Sequence, residues 1–339
     1  MLSLLQDTLA TTDPVGLPLA SALLVGGLVG LLAGGHLLVE GAGSLARRLG
    51  VTPLMVGLTI VAFGTSAPEL ALNVVAVSAS EAGAMLAWGN IIGSNMANVG
   101  LVLGMACLIA PLSIKGQALK RDLPLLMITT AGFIALLLLT PHHDGGAGLS
   151  RIDGGILLGG FIAITAAWFI SGRRHQDESM EVAGGASLEG VRRLGPSLGM
   201  VLIGLALLLS GAWAAESGAV DIARHLGVPE VIIGLTIVAV GTSLPEVAMA
   251  LIGTRRGETD LVIGAVIGSN LFNLVLVMGV TALIRPIPMP ADGGISLAAM
   301  GLLTVMVLFV LTPPGRLGKV WGMTALLLWA GAITWSALA

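Results

Sequence analysis

Apolar residues fill this chain in long blocks, and polar residues collect in the short breaks between them. A helix needs roughly 20 apolar residues to cross a bilayer. Runs of that order occupy about 17–46, 53–80, 84–110, 123–140, 152–171, 197–223, 230–254, 260–283, 294–312 and 319–338. The pattern predicts an all-α integral membrane protein with ten transmembrane helices. Helices 2 and 7 carry the same polar interruption. Gly57–Glu69 reads GLTIVAFGTSAPE and Gly234–Glu246 reads GLTIVAVGTSLPE, identical at 11 of 13 positions.

A second pair follows the first. Gly89–Asn98 (GNIIGSNMAN) corresponds to Gly264–Asn273 (GAVIGSNLFN). The repeat divides the chain into a first five-helix unit (1–172), a polar cytoplasmic linker (173–196) and a second unit (197–339). Five is odd, so the second unit must enter the membrane upside down. Inverted repeats of this kind belong to secondary transporters, whose sites lie near the midplane where the halves meet.

Composition agrees with the pattern. Of 339 residues, 55% are hydrophobic and only 10% charged, against about 25% charged in an ordinary soluble domain. Taking alternate loops, 13 of the 16 Lys and Arg fall on one side, from Arg47 to Lys319, and Arg151, Arg224 and Arg285 on the other. The positive-inside rule makes the rich side cytoplasmic. Both termini are then outside, in a multi-pass protein of the plasma (inner) membrane. The first residues carry Asp7 and Asp13 but no Lys or Arg, unlike a secretory signal. A lone Cys107 excludes a disulfide framework, and no basic patch points to nucleic acid.

The chemistry lies in the interruptions. Pro68 and Pro245 cannot donate to the carbonyls of Gly64 and Gly241, which predicts that helices 2 and 7 break near Gly-Thr-Ser. Freed carbonyls at that depth need protein, water or a cation. Thr65 and Glu69 are i and i+4 on one face, with Ser66 three before the acid; Thr242, Ser243 and Glu246 repeat this. Ser94 with Asn98, and Ser269 with Asn273, have the same spacing. Every group offers oxygen, as hard cations require. Two carboxylates match one Ca²⁺ or two to three Na⁺. If both ions need the same pair, and the empty site reorients slowly, the result is antiport. The alternative for Glu69 and Glu246 is a protonated acid bonded between helices, but an intramembrane acid is functional by default. Asn95 and Asn270 are expected to cross-link backbone, and Gly93 and Gly268 to admit close helix approach. No HExxH motif is present and no obligatory cofactor or protein partner is evident, so an intramembrane enzyme is disfavoured.

The strings GTSAPE…GSNMAN and GTSLPE…GSNLFN resemble the α-repeats of the cation/Ca²⁺ exchanger superfamily, above all its microbial sodium/calcium exchanger branch. That resemblance implies exchange of Na⁺ for Ca²⁺ by alternating access. It implies that Glu69 and Glu246 bind Ca²⁺ and Na⁺, and that Thr65, Ser66, Thr242, Ser243, Ser94 and Ser269 serve Na⁺ sites with carbonyls of Ala62 and Ala239. Asn98 and Asn273 would line a middle site, and helices 1 and 6 would slide across the rest. Some relatives, including potassium-dependent ones, carry Asp at the position of Asn273, so two acids rather than three argue against K⁺ co-transport. Proton/calcium relatives carry Asn-Ala where this chain has Thr-Ser, which favours Na⁺ coupling. The alternatives are an H⁺/Ca²⁺ antiporter, an antiporter for another divalent such as Mg²⁺, and a channel.

Other polar residues read as peripheral. Glu40 and Glu216 lie near helix ends and are expected to snorkel. His36 reads as a packed helix residue, and His142-His143 as a solvated loop. Trp88, Trp321 and Trp335 fit interfacial anchoring.

Overall fold

The computed structural model describes residues 15–80, 82–114, 116, 118–139, 147–182, 194–228, 239–290, 293–311 and 316–338. The chain folds into α1 (Leu17–Leu49), α2 (Pro53–Ala79), α3 (Gly83–Ile109), α4 (Ala118–Leu139), α5 (Arg151–Val182) and α6 (Leu194–His225). One turn at Ala239–Gly241 leads into α7 (Leu244–Arg255), followed by α8 (Thr259–Ile284), α9 (Gly293–Met306) and α10 (Lys319–Leu338). Seven of these, α1 to α6 and α8, are long and apolar enough to cross a membrane. Only 239–254 of the seventh apolar run lies within the described residues, and the loop with His142-His143 lies outside them. Helix α5 runs on to Val182, ten residues into the stretch read as linker; 183–193 lie outside the described residues.

Local chemistry sets the helix ends. Helix α1 ends on Gly50, whose φ of 64° favours a residue without Cβ. Gly227 (φ 73°) closes α6 in the same way. Thr52 accepts the Met55 N–H at 3.3 Å and Pro53 follows it, so α2 starts with a side-chain cap and a proline that has no N–H to lose.

Helices α3 and α8 form the buried centre, and α1 with α6 form a separate antiparallel pair on one side. The pair is a glycine seam. Gly27, Gly34 and Gly41 recur every seven residues on α1, as do Gly204, Gly211 and Gly218 on α6. A Cβ on Gly34 would lie 2.7 Å from Leu208 N and 2.8 Å from Gly204 O; one on Gly211 would lie 2.8 Å from Leu31 N and 2.9 Å from Gly27 O. Between helices in lipid, such backbone-to-backbone packing replaces the hydrophobic effect as the source of adhesion. Ser197 donates to Ser44 at 3.0 Å near one end of the seam.

Two short backbone pairings tie loops together. Gly148–Leu149, before α5, pairs antiparallel with Ile287–Pro288, after α8. Leu112, after α3, bridges to Leu317, before α10. Both pairings join loops that the charge distribution assigns to the same side.

Some peripheral readings need correction. His36 is exposed and accepts from Arg256, which also pairs with Glu40 at 3.6 Å. These groups join α1 to the α7–α8 corner; neither acts alone. Trp88 and Trp321 are core residues, the latter donating to Met306 O at 2.9 Å; Trp335 is exposed as expected of an anchor.

Candidate cation site

The two interruptions, identical in kind, fold differently. In the second copy Thr242 and Ser243 form a turn between Ala239–Gly241 and α7, with Ser243 N–H on Val240 O at 3.0 Å. Leu244 and Pro245 then open α7, where proline has no N–H to lose. Helix 7 is therefore broken where expected. The first copy is not. Residues Ala62–Ala79 are helical through Pro68. Upstream of it, Gly57–Val61 widens into a π-helical turn. Membrane helices tolerate proline through such local adjustments. The expected break at Gly64–Ser66 is thus corrected to a continuous, locally widened helix.

Two further π turns begin on Asn98 (Asn98–Leu103) and on Asn273 (Asn273–Val277). They stand at matching positions of the two copies. Single π turns inside α-helices recur at functional sites.

The described site residues converge at the centre. Thr65, Ser66, Glu69, Ser94, Asn98, Ser243, Glu246, Ser269 and Asn273 are all buried, and Thr242 is half-buried. Thr65 Oγ1 lies 3.3 Å from Ser269 Oγ and donates to Ala62 O at 3.4 Å. Ala239 stands at the start of its turn; residues 234–238 of the motif lie outside the described residues. Close approach holds at Gly268, whose Cβ would lie 2.5 Å from Leu58 O. For Gly93 no described residue comes within 4 Å.

The asparagines make reciprocal bonds. Asn98 donates to Asn270 Oδ1 at 3.0 Å, and Asn273 donates to Asn95 Oδ1 at 3.1 Å. Asn95 also donates to the backbone of Asn270 at 3.3 Å. Asn95 and Asn270 thus cross-link α3 to α8. Asn98 and Asn273 spend their own amide hydrogens on the same links, while Asn273 Oδ1 keeps no partner. Removing Asn98 with Asn98→Leu strands the Asn270 amide oxygen in the core. The expected loss is about 1–3 kcal/mol, read as a lower melting temperature of the purified protein in detergent.

Four acids are buried among the described residues: Glu69, Asp122, Asp153 and Glu246. Asp122 pairs with Arg121 at 2.6 Å and accepts from Trp168 Nε1 at 3.0 Å. Asp153 accepts from the Ser150 N–H at 2.7 Å and its hydroxyl at 2.6 Å. Glu69 and Glu246 differ: one oxygen of each, Oε2, is buried with no partner, and so is Ser66 Oγ. Buried polar groups are nearly always satisfied, so two orphaned carboxylate oxygens and an orphaned hydroxyl mark this place as a candidate ligand site. No group of three or more His, Cys, Asp or Glu occurs among the described residues. Further ligands to a cation must then be hydroxyl, amide or carbonyl oxygens, which is what surrounds the pair.

A cavity of about 230 Å³ leads to this centre, lined among others by Pro68, Glu69, Thr242 and Pro245. Both prolines of the duplicated motif face it. Among its lining residues is Glu216 of α6, for which snorkelling was expected over a vestibule role; its carboxylate rests on Gly241 rather than reaching for the interface.

Comparison with known proteins places the chain in a family. The family model described as sodium/calcium exchanger protein matches residues 19–170 and 196–338. CaxA of Alkalimonas amylolytica, a candidate antiporter, is 38% identical over 86% of this chain and 89% of its own length. Inner membrane protein YrbG of Escherichia coli is 36% identical over 79% of this chain and 81% of its own. The solved structure of the sodium-calcium exchanger NCX_Mj, soaked with Na⁺ and Sr²⁺, is 28% identical and superimposes with a TM-score of 0.76, covering 94% of this chain and 99% of that one. This chain is a member of the sodium/calcium exchanger family, in the microbial branch of the cation/Ca²⁺ exchanger superfamily.

Proposed function

We propose that the protein is a secondary antiporter that exchanges Na⁺ for Ca²⁺ by alternating access, the ions competing for Glu69 and Glu246. The observation that carries this reading is the pair of buried carboxylates, from two copies of one motif, each with an oxygen left unpartnered. Burying a charge without a partner is expensive; a Ca²⁺ ion neutralises both acids at once, as do two Na⁺, and a third Na⁺ would leave the site with one net positive charge. Hydroxyls of Thr65, Ser66, Ser94, Thr242, Ser243 and Ser269, the amide oxygens of Asn98 and Asn273, and carbonyls of Ala62 and Ala239 complete the oxygen set. Ala62 O already accepts from Thr65, so an ion there takes over an existing bond. The two Thr-Ser hydroxyl pairs support Na⁺ rather than proton coupling.

The architecture we propose is ten membrane helices as two inverted five-helix repeats, 1–172 and 197–339, joined by a cytoplasmic linker over 173–196. The reciprocal asparagine bonds and the matching glycine heptads of α1 and α6 support it. Both termini are outside, in the plasma (inner) membrane, and the cavity beside Glu216 then faces outward. Helices α1 and α6, joined through backbone, are suited to move as one body across the rest.

In liposomes loaded with Na⁺, Ca²⁺ enters when the Na⁺ gradient is imposed. Uptake driven only by a pH gradient reassigns the coupling ion to H⁺. Equal competition by Mg²⁺ broadens the divalent, and flux indifferent to the counter-ion makes the protein a channel.

A further inference from the structure

We infer that Glu216 forms a separate staging site for a divalent cation, at the mouth of the cavity that ends at Glu69. The inference builds on the exchange reading above, which supplies the ion and the outward direction of the cavity.

Three observations meet here. First, Glu216 and Glu69 line the same cavity, with Asn90 and Thr242 as further oxygen-bearing neighbours; most of the remaining lining is apolar. At about 230 Å³ it has room for an ion that keeps several of its waters. Glu69, at the inner end, is buried with one oxygen unpartnered. Second, Glu216 has been given space on purpose. A Cβ on Gly241 would lie 2.5 Å from both Cδ and Oε2 of Glu216, so only glycine at 241 lets the carboxylate rest there. No hydrogen-bond or ion-pair partner to Glu216 occurs among the described residues, and it belongs to no cluster of three or more acids, His or Cys. It is therefore distinct from the pair at the centre.

Third, the polarity is one-sided. One repeat earlier, the counterpart of Glu216 is Val39, a buried aliphatic residue. Asn90 donates to nothing in the other half either: it bonds Asn73 at 2.7 Å, and the counterparts of the two are Ala265 and Ala250, both buried. The two motifs are almost identical, yet among the described residues the cavity side carries Glu216 and Asn90 where their counterparts Val39 and Ala265 are buried and apolar. An approach that merely packed would not need this difference. A lone carboxylate in an apolar-walled cleft focuses its field on entering cations, and attracts a divalent twice as strongly as a monovalent ion at the same distance. The consequence is a protein whose apparent Ca²⁺ affinity differs between its two faces.

Two measurements test this on the full chain. In proteoliposomes, Glu216→Gln raises the KM for Ca²⁺ presented on the cavity side roughly tenfold, with kcat, and the KM for Ca²⁺ on the opposite side, unchanged. Gly241→Ala, which keeps every acid but pushes Glu216 aside, moves the cavity-side KM in the same direction. Separately, Tb³⁺ serves as a luminescent probe, because Trp213 lines the same cavity and can sensitise it. A Glu69→Gln/Glu246→Gln double variant retains Tb³⁺ luminescence, and adding Glu216→Gln removes it. Equal KM shifts on both faces, an unchanged cavity-side KM, or luminescence indifferent to Glu216 overturns the inference. Failure of the exchange reading itself shows differently: the parent protein then moves no Ca²⁺ against Na⁺, while the Tb³⁺ result still stands or falls on Glu216.

Discussion

Exchange falls at least about a hundredfold, or about 2.7 kcal/mol in barrier terms, when either Glu69 or Glu246 becomes Gln. The substitution is nearly isosteric and removes one charge from a buried pair. It leaves neither variant unfolded, because each acid already carries an unpartnered oxygen and a neutral amide is cheaper to bury than a carboxylate. What is lost is the charge that balances the ion. The check has two parts, both on purified protein. Na⁺-driven Ca²⁺ uptake disappears in liposomes. The thermal stabilisation by saturating Ca²⁺, about 2.7 kcal/mol at a hundredfold excess over the dissociation constant, disappears in detergent while the apo melting temperature holds. Wild-type-like transport in either variant removes Glu69 and Glu246 from the ion path. By contrast Asp122→Asn, which disturbs an acid with three donor contacts, lowers the melting temperature with no change in Ca²⁺ protection.

The second large effect is expected at the seam between α1 and α6. Gly34→Ala sets a methyl 2.7 Å from a backbone nitrogen and 2.8 Å from a backbone oxygen, and neither can step aside. Overpacking of this kind costs about 1–3 kcal/mol, and Gly34→Leu more. Gly204→Ala, with Leu38 N at 2.6 Å, behaves alike. The internal control is Gly26, next to the seam but exposed, with no described residue within 4 Å of an added Cβ. Gly26→Ala changes stability little, or raises it by the usual helix gain of up to about 1 kcal/mol. Melting temperatures of the set, with transport beside them, decide the matter: equal effects at positions 26 and 34 contradict a backbone seam.

Much of this molecule can be read from its letters, and the failures are instructive. The helices follow from uninterrupted apolar length, because in lipid an unsatisfied backbone leaves little alternative. The duplicated acids stand out because a charge inside an apolar run is expensive and the same acid recurs in both copies. The two prolines show the limit. Each motif presents the same Gly-Thr-Ser-x-Pro, yet one copy turns at Thr242–Ser243 and the other stays helical through Pro68. A missing N–H can be met by a break or carried inside a continuous helix, and the choice depends on neighbours that local sequence does not name. Glu216 failed for a related reason. On its own helix it is a lone acid near one end. Its meaning comes from Pro68, Gly241 and Trp213, which come from three separated stretches of chain and form one cavity only after folding. The glycine heptads of α1 and α6 were available to inspection, since a period of seven is visible in any sequence. Their partners were not.

The reciprocal bonds Asn98 to Asn270 and Asn273 to Asn95 carry a consequence for counting. They join equivalent residues of the two copies, as at an isologous contact. In the proposed inverted-repeat architecture, the axis that relates the halves passes between these two bonds. An ion on that axis is shared evenly by Glu69 and Glu246 and occurs once. An ion off the axis has a twin across it. Under the proposed exchange reading, one divalent cargo would take the axial place and monovalent ions would fill the remainder in pairs; an odd monovalent number would require one of them to occupy the axis in its turn. Parity, in such a site, is decided by whether Na⁺ accepts the place that Ca²⁺ vacates.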